Sequence, residues 1–108
     1  MTTQATETLN PQQAWGRIYG LIDKLTPGGL RPSMINNASI TPAQFFPVLH
    51  QNIIYSLKGE DDRRMTELMS LLGPDSTKTN YKAGEQADFL MAFTQEKHGY
   101  GESQCHVP

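Results

Sequence analysis

The sequence predicts an all-α domain, a compact helical bundle of about four main helices with flexible termini. Three observations point there. Apolar residues recur every three or four positions in four separate stretches, the mark of helices that each bury one face. No stretch of useful length alternates apolar and polar residues at period two, as a half-buried strand would, and no internal repeat is visible. The four stretches are punctuated by Asn-Pro, Thr-Pro, Pro-Gly-Gly and Gly-Pro, combinations that start or stop helices.

A length of 108 residues suits one domain with one core. The expected bundle spans residues 10–98, between a flexible leader at 1–9 and a flexible tail at 99–108. Thr, Gln and Glu dominate the leader, too little apolar surface to offset the entropy of ordering it. The first helix opens with Asn10 as N-cap and Pro11 as its first residue. Trp15, Ile18, Tyr19, Ile22 and Leu25 then form one stripe. Gly16 and Gly20 interrupt it four residues apart, which predicts close approach by another helix. Thr26-Pro27-Gly28-Gly29 stops this helix.

Residues 30–40 show no sustained period and read as a short turn, with Met34 and Ile35 docking on the core. A second helix is predicted over 42–58, with Thr41 as N-cap and Pro42 at its first position. Phe46, Leu49, Ile53 and Leu57 share one face, and Phe45, Val48 and Ile54 widen it. That breadth predicts a central, substantially buried helix, with a bend at Pro47 and Phe46 as a full core residue. Gly59 separates it from a third helix whose first turn, Glu60-Asp61-Asp62, suits the positive end of a helix dipole. Met65, Leu68, Met69 and Leu72 stripe that helix, and Gly73-Pro74 ends it. A polar connection follows. The last helix is predicted from about Lys82 to Lys97, presenting Gln86, Phe89, Leu90 and Phe93.

Composition excludes several functions. The charged fraction is 19 %, the net charge −2 and the pI about 5.8, which argues against binding nucleic acid by bulk positive charge alone. A single cysteine, Cys105, fits a reducing compartment. Without a signal peptide or an apolar run of the roughly 20 residues that span a bilayer, the expected location is cytoplasmic.

Catalytic constellations are also missing. His98, Cys105 and His106 have no fourth ligand at zinc-site spacing. Gly28-Gly29 lacks the preceding strand and the Lys-Ser/Thr of a phosphate loop. His50 reads as a histidine at the core edge. We expect no enzyme, no metal and no cofactor.

Three stretches carry a resemblance: Trp15-Gly16-Arg17-Ile18-Tyr19-Gly20-Leu21-Ile22, then Asn37-Ala38-Ser39-Ile40-Thr41-Pro42-Ala43-Gln44-Phe45-Phe46-Pro47-Val48-Leu49, then Gly84-Glu85-Gln86-Ala87-Asp88-Phe89-Leu90-Met91-Ala92-Phe93. In this order and at similar separations they resemble the C-terminal helical region of the large subunit of type I-C CRISPR Cascade complexes, a region also made as a separate small subunit. The chain departs from that family at Ala92-Phe93-Thr94-Gln95-Glu96-Lys97, where members carry Gly-Tyr-Tyr-His-Gln-Arg.

The resemblance implies a non-catalytic small subunit in antiviral defence. It would bridge backbone subunits and stabilise the R-loop and displaced DNA strand. The implied partners are other Cascade subunits, copies of itself, the guide RNA and the target DNA backbone. Guide pairing reads sequence in such complexes, so the protein need supply only backbone contacts.

Lys58, Arg63 and Arg64 form the best candidate cluster for those contacts, with Arg17 and Lys82 as further candidates. The plainer reading pairs Arg63 and Arg64 with Glu67 on an exposed helix face, for ~0.2–0.5 kcal/mol per pair. For Arg17 it is a structural salt bridge. Tyr55 and Tyr81 are the candidates for stacking on bases. A competing function is a small helical adaptor that binds only protein, with Met65 and Met69 as an adaptable surface.

Overall fold

Helix starts follow the chain's own signals at most positions. The computed structural model describes residues 9–72 and 80–98. These form five α-helices: α1 (Pro11–Leu25), α2 (Pro32–Ile40), α3 (Pro42–Ile53), α4 (Gly59–Ser70) and α5 (Ala83–Lys97). A 3₁₀ turn, Ile54–Ser56, follows α3. Among the described residues there is no strand, and the architecture is an all-α bundle. The leader at 1–8, the connection at 73–79 with its Gly73-Pro74 stop, and the tail at 99–108 lie outside the described residues. Leu9 is described and packs half-buried on the core.

Asn10 caps α1 as its residue type dictates. Its side chain accepts the Gln13 N–H at 2.9 Å, and the Gln13 side chain accepts the Asn10 N–H at 3.0 Å, closing a capping box. From Ala14 to Asp23 every residue of α1 is buried, so α1 is the axis of the molecule. Its apolar stripe covers only one side. On the other side, Gly16 and Gly20 let α5 lie directly against the backbone. A Cβ at Gly16 would sit 2.2 Å from the Phe89 carbonyl oxygen, and one at Gly20 would sit 2.5 Å from that of Phe93.

Tyr19, on the same helix, stacks tilted against Phe89 at 5.4 Å and donates its hydroxyl to the Pro42 carbonyl. Burial raises the pKa of this phenol above its ordinary value. The helix ends at Leu25 with Thr26 as its C-cap, and the chain then turns through Gly28 and Gly29 at φ of 80° and 76°. Beside them, the Asp23 carboxylate accepts the Leu30 N–H at 2.7 Å.

Several expectations need correction. Residues 32–40 form a helix, not a turn; Pro32 sits at its first position with preset φ. Its signal was weak because Arg31 offers no side-chain cap and Asn36 and Asn37 break the period. The second predicted helix is neither as long nor as central as expected. It stops at Ile53, where a β-branched pair, Ile53-Ile54, has low helical propensity and the chain tightens into the 3₁₀ turn.

Pro42 and Ile53 are its only buried residues, whereas Val48 is 64 % exposed. Phe46 is half-buried and meets the Trp15 ring edge-on at 5.3 Å. Thr41 does not cap α3 through its hydroxyl. Its N–H closes α2 on the Asn37 carbonyl and its carbonyl accepts from Gln44, so its contribution is through the backbone. The Tyr81 N–H then ties the start of the last helical segment to the Ile40 carbonyl at 2.9 Å.

Candidate nucleic-acid interface

The turn between α3 and α4 and the first turns of α4 carry two exposed cations, Lys58 and Arg63. Lys58 is extended and Gly59 takes φ of 57°, a left-handed conformation that glycine adopts without strain. Glu60, Asp61 and Asp62 fill the first turn of α4, where the dipole favours them. Arg63 projects outward with 77 % of its side chain exposed and lies 3.8 Å from Glu60. It lines a shallow depression with Gly59, Asp62, Thr66 and Glu67. Carboxylates therefore flank Arg63 on both sides, and the local field is mixed in sign.

Arg64 and Arg17 have a different geometry. Both converge on Glu96, which is 4 % exposed. Arg64 grips that carboxylate with a two-pronged fork, Nε to Oε2 at 2.9 Å and Nη2 to Oε1 at 2.8 Å, and sends Nη1 to Glu67 at 2.9 Å. Arg17, 6 % exposed, reaches Glu96 Oε1 at 3.3 Å and Gln95 Oε1 at 2.7 Å. Planar guanidinium forks match a carboxylate in this way. The network joins α1, α4 and α5. Lys97 adds a second link, 3.8 Å from the buried Asp23 carboxylate.

Lys82 is exposed at the start of α5, where its backbone N–H donates to Glu85 Oε1 at 2.9 Å. Tyr81 beside it is buried. Tyr55 is 88 % exposed on the 3₁₀ turn, three residues before Lys58, and is the stacking candidate whose ring faces solvent. His50 is half-buried, 5.0 Å from the Phe46 ring. On α4, Met65 belongs to the core while Met69 is exposed.

Glu96 and Gln95 were missed as partners of the arginines. The signal was present in the spacing of Phe89, Ala92, Phe93 and Glu96, which share one helical face. A carboxylate on an inner face implies a buried cation elsewhere.

Among the described residues no group of three or more His, Cys, Asp or Glu could hold a metal ion. No described helix is long and apolar enough to cross a membrane. Compared with known proteins, the chain matches no family model, no curated protein and no solved structure.

Proposed function

We propose that this chain is a non-catalytic small subunit of a CRISPR RNA-guided Cascade complex, bridging backbone subunits and stabilising the R-loop and displaced DNA strand in the cytoplasm. The observation that carries the reading is the ordered set of three stretches resembling the type I-C family. In three dimensions those stretches belong together. Trp15 meets Phe46, Tyr19 meets both Pro42 and Phe89, and Gly16 receives the Phe89 backbone. The resemblance thus covers one connected piece of the core, and it bears on fold more directly than on nucleic-acid contact.

Backbone contact in this reading falls to Lys58, Arg63 and Lys82, with Tyr55 available for stacking. Arg17 and Arg64 orient the helices through Glu96, and Arg64 retains a partly exposed edge.

The test pairs co-purification with binding. A tagged copy is expected to bring down other protein subunits and a guide-length RNA. Labelled single-stranded DNA is expected to bind the isolated chain at low salt. With three phosphate contacts, a fourfold rise in salt should weaken that binding about twenty-fold. Reversing Lys58, Arg63 and Lys82 to Glu should remove binding while the thermal melt stays unchanged. If the chain binds no DNA at low salt and no RNA co-purifies, it is a protein-only adaptor and the reading fails.

A further inference from the structure

A cleft of about 120 Å³ opens between the first half of α1 and the middle of α5. It has room for roughly four waters at about 30 Å³ each, far below the ~300 Å³ at which small-molecule sites begin. A nucleotide is therefore too large for it, whereas a single chain of about four or five heavy atoms fits. Leu9, Met91 and Ala92 give the cleft an apolar wall, and Gln13, Asp88 and Gln95 give it oxygen atoms. Arg17 completes the lining.

Charge decides what kind of chain the cleft suits. Arg17 belongs to the network at Glu96, whose described members, Arg17, Arg64, Glu67 and Glu96, are two cations and two anions and so balance. Asp88 lies outside that balance. Among the described residues its carboxylate meets one polar partner, the neutral Gln12 side-chain amide at 3.5 Å, the long limit of a hydrogen bond. The residue is half-buried, where a carboxylate without a counter-charge is less stable than on the open surface. Residues 1–8 and 99–108 contain no Lys or Arg, so no ammonium or guanidinium side chain there supplies the cation.

The oxygens of the lining match an ammonium, which has three donors and no acceptor. Asp88 offers a carboxylate. The side-chain oxygens of Gln13 and Gln95 each accept one bond, from the Asn10 N–H and from Arg17, and each keeps a second lone pair. We propose that this cleft binds a primary alkylammonium group, its methylene stem along Leu9, Met91 and Ala92 and its charged end on Asp88, Gln13 and Gln95. A lysine side chain of another protein and a free aliphatic amine share this chemistry. Ala92 and Gln95 fall in the stretch where the chain departs from the family it resembles, so the site does not follow from that resemblance. It is also independent of the nucleic-acid reading.

Titrating the isotope-labelled full chain with butylamine at neutral pH tests it by nuclear magnetic resonance. Amide signals of Gln13, Asp88, Met91 and Gln95 should shift and saturate with a Kd on the order of 1 mM, as so small a ligand allows. Butanol and butyrate, similar in length but neutral and negative, should bind at least ~10-fold more weakly, the worth of a charge-assisted hydrogen bond. Asp88→Asn keeps the side-chain shape and should weaken butylamine binding by a similar factor, with an unchanged thermal melt. Asp62→Asn, at an exposed carboxylate on α4, should leave binding as it is. A blocked tripeptide with a central lysine that binds more tightly than butylamine assigns the site to a protein partner. Equal binding assigns it to a free amine, and the ammonium site stands in both cases.

Butanol or butyrate binding as tightly as butylamine would overturn the proposal. So would an Asp88→Asn variant that binds like the wild type, or shifts that map to α4 instead of the cleft. Should Asp88→Asn melt early, the three ligands compared on the wild type still decide.

Discussion

The contact between α1 and α5 is set by two residues that lack side chains. At Gly16 an added methyl group would collide with a carbonyl oxygen, which cannot swing aside as a side chain does. Gly16→Ala is therefore expected to destabilise by at least ~1–3 kcal/mol, despite the helix propensity it gains. Gly84 is the control: it lies on α5 with nothing within 4 Å of its added Cβ. Gly84→Ala should be neutral or stabilising by up to ~1 kcal/mol. Urea denaturation should show a clear loss for Gly16→Ala and none for Gly84→Ala, and a Gly16→Ala variant as stable as wild type would show that α5 does not lie against Gly16. The role of these glycines was legible from their four-residue spacing alone. Their consequence was not, because a hydropathy pattern scores Gly and Arg as polar and so hides the fact that α1 is buried on every side.

At the scale of elements, α3 illustrates what periodicity can and cannot say. Phe46, Leu49 and Ile53 do share a face, and that face does meet the core. Val48 and Ile54, placed on a widened buried face by hydropathy, are exposed, because hydropathy alone does not say which side of a helix the neighbouring helices cover. Phe46→Ala should accordingly cost only about 1–2 kcal/mol, the loss of a partly buried ring. Phe89→Ala, at a fully buried ring between α1 and α5, should cost ~3–5 kcal/mol. Equal losses in thermal or urea unfolding would place Phe46 in the core after all. Four of the five helices were legible because each carries a sustained stripe, and α1 and α3 also open on Asn-Pro and Thr-Pro. α2 was not, since nine residues with two asparagines carry too little pattern to separate a helix from a turn. The candidate site was legible only as a set of cations. Which of them are neutralised by a carboxylate depends on helix packing, as Arg17 and Arg64 show at Glu96.

Across the whole molecule, Glu96 is the point where three helices are tied by charge. Glu96→Gln would leave two guanidiniums facing a neutral amide in a largely buried site, a loss of ~3–5 kcal/mol. The urea midpoint is the measurement, and a shift below ~1 kcal/mol, typical of an exposed pair, would mean that water reaches the network freely. The location of this carboxylate has a consequence for synthesis. The ribosome delivers α1 before α5, so the central helix emerges with its glycine face uncovered and Arg17 lacking its anionic partner. The residues that complete that side lie more than seventy positions later. Closing so long a loop is slow compared with forming local helical pairs, so the nascent chain must carry its future core exposed until the last described helix has been made.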